Sequence, residues 1–196
     1  IGDFVKYSAR DYTIAGGANI ISDSFDVAVG QDLRLNLELV PFESTELQEV
    51  LNCITWTSKN PEIASVENGI VTGLSKGVAT IVIKSKMYPS IFLGSVDVNV
   101  KLLVDSVQME KADASVIMGE TVPIIAGVLP VDASVPDLTW KSSNEDIATV
   151  NEQGIVTGIA QGEVIITATS VDDPTKFGET KVSVLPIPVS TFTLDD

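Results

Sequence analysis

Apolar residues recur along this chain in short alternating runs. Such runs are Leu33, Leu37 and Leu39 around Asn36, then Ile54 and Trp56, then Val78, Ile81 and Ile83, then Val96, Val98 and Val100. A period of two places such side chains on one face of a strand. Turn residues interrupt the runs at short intervals. Val, Ile and Thr are frequent, and long runs of helix formers are absent. Many short strands at this spacing predict antiparallel β-sandwiches.

The pattern is written twice. "NGIVTGLSKG" at 68–77 returns as "QGIVTGIAQG" at 153–162. The match spreads upstream: Trp56 falls on Trp140, Asn60 on Asn144, Ile63 on Ile147, Ala64 on Ala148 and Val66 on Val150. Further out, "GQDLRLNLELVP" at 30–41 lies over "GETVPIIAGVLP" at 119–130. A period near 85 residues exceeds the ~20–50 of solenoid repeats and suits a small independent domain. Asn68-Gly69 is a two-residue hairpin signal, because both residues tolerate positive φ. The second copy is one residue longer here, with Glu152, Gln153 and Gly154 forming a three-residue turn. In each "GIVTG" the Ile and Val enter a short strand. Gly69 and Gly73, or Gly154 and Gly158, close it, and Gly77 or Gly162 starts the next. All six glycines are therefore read as conformationally special turn positions.

Trp56 and Trp140 alternate with Ile54 and Leu138, which predicts a core Trp at the centre of each sandwich, with ligand stacking as the other role weighed. Cys53 falls on the opposite strand face from Trp56, and Asp137 is its counterpart. A partly exposed thiol with no His or basic neighbour is not an activated nucleophile.

These residues carry a family resemblance. The run apolar-Thr-Trp-x-Ser-x-Asn-x-x-Ile-Ala-x-Val, then Gly-Ile-Val-Thr-Gly, then a further Gly before an apolar strand resembles the group 2 bacterial immunoglobulin-like domain. The resemblance implies an all-β fold of two tandem immunoglobulin-like antiparallel β-sandwiches. It covers 105–185 end to end and 20–104 with five extra residues between Pro41 and Trp56. It also implies a bacterial surface-exposed or secreted setting, where such domains serve as stalks, adhesin modules or spacers beside catalytic domains. It brings no family-wide catalytic residues. On this division 1–19 is a lead-in, 20–104 domain 1, 105–185 domain 2, and 186–196 a linker with the opening of a next module. "VSTFTL" at 189–194 echoes "VDSVQM" at 104–109. The junction "NVKLLVDSVQM" at 99–109 lacks Gly, Pro or Ser-rich tracts, so the last strand of one copy is expected to run almost straight into the next. That predicts a stiff, elongated pair.

Charge and composition narrow the function classes. The net charge is −15 from 27 acidic and 12 basic residues, which disfavours nucleic acid and anionic lipid as partners. No apolar stretch is long enough to span a bilayer. The chain begins at Ile1 and carries no signal-peptide pattern, so it reads as a fragment or processed chain whose export signal or anchor lies elsewhere. A lone Cys with no His cannot form an internal disulfide or a zinc site. No GxSxG, GxGxxG or P-loop is present, so no cofactor and no catalysis are expected. Calcium is the one cation considered, for Asp23/Asp26, Glu145/Asp146, Asp172/Asp173 and Asp195/Asp196, none of which forms a dedicated calcium loop.

One insertion remains. In 41–52, Thr45 and Gln48 have capping-box spacing, and Leu47, Val50 and Leu51 share a helical face. A single helical turn would cluster Glu43, Glu46 and Glu49 on its solvent side, as decoration or as a partner-contact loop. A glycosidase pair needs a cleft between its carboxylates, which one exposed turn does not provide. The sequence thus reads as a non-catalytic rigid spacer of a bacterial surface or secreted protein, in the manner of an adhesin stalk, whose partners are neighbouring domains of the same chain. The other readings are a recognition module for host glycan or protein and the accessory domains of a polysaccharide-degrading enzyme.

Overall fold

Every regular element among the described residues is a β-strand, as the two-residue period dictates. The computed structural model describes residues 18–39, 53–86, 89–90 and 92–188. The chain divides into two units, Ile1–Leu102 and Leu103–Asp196.

Unit 1 contains β1 (Ala18–Ile21), β2 (Asp26–Ala28), β3 (Asp32–Arg34), β4 (Asn36–Leu39), β5 (Ile54–Ser58), β6 (Ala64–Glu67), β7 (Ile70–Gly73), β8 (Gly77–Ser85) and β9 (Phe92–Lys101). Unit 2 repeats the series as β10 (Ser106–Met109), β11 (Asp113–Ile117), β12 (Thr121–Pro123), β13 (Ala126–Leu129), β14 (Leu138–Ser142), β15 (Ala148–Val150), β16 (Ile155–Gly158), β17 (Gly162–Ser170) and β18 (Phe177–Leu185). The topologies coincide strand for strand. Sheets ordered β2-β9-β8-β5, β3-β7-β6 and β1-β4 in unit 1 become β11-β18-β17-β14, β12-β16-β15 and β10-β13 in unit 2.

Two apolar faces close over each core. In unit 1, Ala79 and Ile81 of β8 with Val98 and Val100 of β9 meet Ala64 of β6 and Val71 of β7. In unit 2, Val164 and Ile166 of β17 with Val182 and Val184 of β18 meet Ala148 and Val156. A second cluster in unit 2 gathers Val104, Val107, Val128, Ala133 and Ala168.

Four features depart from the sequence reading. The sheets are not wholly antiparallel: β2 runs parallel to β9, and β11 parallel to β18. Val78 does not share a face with Ile81 and Ile83. It lies one position out of phase with buried Ala79, and 52% of it is exposed. Four residues, Leu102, Leu103, Val104 and Asp105, stand outside any strand between β9 and β10. Within unit 2 the Val104 side chain is buried, and its N–H donates to Asp172 Oδ2 at 2.9 Å. The first strand also begins at Ala18, inside the expected lead-in, and pairs with β4 through Ala18↔Leu39.

Candidate functional site

The repeated motif is assembled around one Trp and one turn glycine per unit. Asn68 (φ 50°) and Gly69 (φ 80°) form the two-residue hairpin between β6 and β7, which pair through Glu67↔Ile70. The unit 2 turn is one residue longer. Asn151 accepts from Gly154 N–H through its carbonyl, and its Oδ1 accepts from Gln153 and Ile155 N–H, with Gly154 at φ 75°. Half-buried Trp56 and Trp140 lie over these turns. A Cβ on Gly69 would meet Trp56 Cζ2 at 3.2 Å, and one on Gly154 would meet Trp140 Cζ2 at 2.7 Å. Each glycine carbonyl also accepts a backbone bond, from Leu35 N–H in unit 1 and from Ile124 N–H in unit 2. Trp56 and Trp140 pack on the core clusters of their own units.

The other four glycines divide by physical cause: Gly77 keeps a positive φ, and all four need the space a Cβ would fill. Gly73 and Gly158 end strands without positive φ, and their requirement is space. A Cβ on Gly73 would meet the Ala28 carbonyl oxygen at 2.6 Å. One on Gly158 would lie 3.0 and 3.1 Å from Val184 and Val116. Gly77 (φ 152°) and Gly162 each leave room for an Ile of the motif, with Ile63 Cδ1 at 2.9 Å and Ile147 Cδ1 at 3.0 Å from the missing Cβ.

The Ser-x-Asn of the motif has a role that the repeat alone did not disclose. Ser58 Oγ accepts from Asn60 N–H, and Ser142 Oγ accepts from Asn144 N–H. The Asn carbonyls then accept from Ile63 and Ala64, or from Ile147 and Ala148, closing the turn into the next strand. The Ile carbonyls accept in turn from Leu74 and Ser75, or from Ile159 and Ala160. The paired spacing of Ser and Asn was the signal available for this, since both residue types favour such local bonds.

Three carboxylates of the acidic pairs, Asp26, Asp172 and Asp173, are engaged in local structure. Asp26 Oδ1 accepts from Asn99 Nδ2 at 3.1 Å, and its Oδ2 pairs with Lys101 Nζ. Lys101 first, then Asn99, holds this carboxyl below its ordinary 3.8. Asp173 accepts from the Thr175 hydroxyl at 2.7 Å and from the Thr175 N–H, which lower its pKa in that order. Glu163 beside Lys181 raises the ammonium pKa of Lys181. Asn144 Oδ1 accepts from Asp146 N–H. No group of three acidic, His or Cys side chains gathers into a metal-holding cluster among the described residues. Glu43, Glu46, Glu49, Asp195 and Asp196 lie outside the described residues, as does the expected opening strand at 189–194. Cys53 is half-buried before β5, where its carbonyl accepts from Lys86 N–H.

Two of the clefts at the sides of unit 2 lie beside β11 and beside Trp140. One of about 470 Å³ lies between β11 and β12, where Ala114, Val122, Ile124 and Ile125 meet Lys111 and Asp113. The other lies between β14 and the β15–β16 turn, beside Trp140, Asn151, Glu152 and Gln153.

The profile of the bacterial Ig-like domain (group 2) matches residues 18–87 and again 103–182, the two units in turn. The chain belongs to this family. Its two copies are tandem group 2 Ig-like sandwiches. A 3-O-alpha-D-galactosyl-alpha-L-arabinofuranosidase of Bifidobacterium longum subsp. longum is 40% identical over 113 residues, 57% of this chain and 10% of that protein. Ice-binding protein 1 of Shewanella frigidimarina is 27% identical over 135 residues, 66% of this chain and 15% of that protein. The match thus spans about a tenth to a seventh of these relatives. Among solved structures, invasin, a bacterial integrin-binding protein, aligns over 87% of this chain and 39% of its own at 17% identity and a TM-score of 0.47. No helix among the described residues is long and apolar enough to cross a membrane.

Proposed function

We propose that this tandem Ig-like chain is a non-catalytic spacer within a larger bacterial surface-exposed or secreted protein. One observation carries the reading. The repeated Trp56 and Trp140, the paired glycines of the motif and the Ser-x-Asn turns are used to build the fold twice. Residues repeated for folding alone are what a structural module requires, since function otherwise lives in sites added to a fold. The net charge of −15 keeps such a module soluble and apart from polyanions.

The glycosidase relative supports a narrower version, in which the chain is an accessory portion that holds apart the domains of a carbohydrate-acting enzyme. The competing recognition role would fall to the 41–52 insertion with Glu43, Glu46 and Glu49. A binding screen separates the classes. The full chain is passed over glycan arrays and extracellular matrix proteins, with and without calcium, beside a variant lacking 43–49. The spacer reading expects no saturable binding under either condition. Saturable binding abolished by the deletion would replace it with a recognition module centred on that insertion.

A further inference from the structure

We infer that each unit is built to carry tension along the chain, through its parallel strand pair acting as a shear clamp, and that unit 2 is the stronger. The biological purpose of such a clamp rests on the spacer reading, whereas its mechanics rest on topology alone. In each unit an early strand, β2 or β11, runs parallel to the last strand, β9 or β18. The chain therefore enters the pair at one end and leaves it at the other. Tension along the chain slides the two strands past each other and loads every bond between them at once. Tension applied to the same end of both strands would open those bonds one at a time. The β10–β13 pairing, and β1–β4 in unit 1, involve neither clamp strand, so their loss leaves the clamp closed.

The two clamps differ in length and protection. In unit 2 the ladder spans five register pairs, Asp113↔Lys181 to Ile117↔Leu185. It is extended at its ends by Lys181 N–H to the Ala112 carbonyl and Met118 N–H to the Leu185 carbonyl, both 2.9 Å. Thr180, only 1% exposed, adds a hydroxyl bond of 2.7 Å to the Lys111 carbonyl just before β11. In unit 1 the ladder spans three pairs, Asp26↔Asn99 to Ala28↔Lys101, and is extended at its ends in the same way, by Asn99 N–H to the Phe25 carbonyl at 2.8 Å and Val29 N–H to the Lys101 carbonyl at 2.9 Å. Its side-chain links, from Asp26 to Asn99 and Lys101, stand in water, where they are screened and easily exchanged. Unit 1 is expected to yield first.

Single-molecule force spectroscopy on the full chain tests this, with handles on introduced cysteines in a Cys53→Ser background. Glu110→Cys with Ile187→Cys grips the unit 2 pair at opposite ends. Glu110→Cys with Lys176→Cys grips it at the same end, since both positions precede their strands. Matching melting temperatures establish that the variants share one fold. The clamp predicts a rupture force about twofold or more higher for the first pair, forced unfolding being set by the barrier along the pulling direction. A smaller ratio overturns it. Asp23→Cys with Leu102→Cys loads unit 1 in the shearing sense and is expected to rupture at lower force than 110/187. A higher force overturns the ranking. Failure here removes the clamp and leaves the spacer in place, whereas a compact scattering profile for the chain would do the reverse.

Discussion

Gly154 meets two demands at once. Its φ of 75° is costly for a residue with a Cβ, and the space a Cβ would fill is held by the Ile124 carbonyl oxygen at 2.6 Å and by Trp140. Gly119, at φ 88° with nothing within 4 Å, meets only the first demand. Gly158, without positive φ but against Val184 and Val116, meets only the second. Alanine substitution should separate these causes. Gly119→Ala is expected to cost about 1 kcal/mol from backbone conformation alone. Gly158→Ala should cost about 1–3 kcal/mol from overpacking. Gly154→Ala, combining both, should cost about 2–4 kcal/mol. Denaturant melts of the three variants check the order, and equal losses would contradict it. The repeated glycines were legible in the sequence as fixed points of the fold, and Asn68-Gly69 as a hairpin. Which glycines serve φ and which serve space was not legible. A close approach from Val184 or Ala28, distant in sequence, leaves no local mark.

At the scale of elements, the strands and their faces follow from the two-residue period, with Val78 as the instructive exception. The run Val78, Ile81, Ile83 changes phase between its first two members, and β8 puts Ala79 on the inner face instead. The parallel pairing of β2 with β9 could not be read from composition. Asp26 and Lys101 lie far apart in the chain, and nothing beside either names its partner. Their pairing now carries a pH prediction. Asp26 has a folded pKa held below 3.8 by Lys101 and Asn99. A depressed carboxylate contributes stability that is fully present above its unfolded pKa. That contribution is lost as pH falls through the lower, folded value. Asp26→Asn should therefore melt slightly below the parent at pH 7, by a small amount because the pair is exposed to water. The gap should close as pH falls through the folded value and should narrow in high salt at pH 7. A gap independent of pH would mean that the pair does not reinforce the strands.

For the whole molecule, the family and the tandem fold were legible because the motif was written twice, each time with Trp, Ser-x-Asn and spaced glycines intact. The role of the chain was less legible, because those residues are consumed by the fold and the five extra residues that make 41–52 distinctive have no counterpart in the second copy. The central claim is that two such units act as a spacer, and small-angle X-ray scattering of the chain in solution tests it most directly. A single globule of this length has a radius of gyration of about 16 Å. Two units of about 13 Å each that do not collapse onto one another give a larger value. The account predicts the larger value, unchanged between low and high salt and accompanied by a two-lobed distance distribution. A radius near that of the single globule would contradict it.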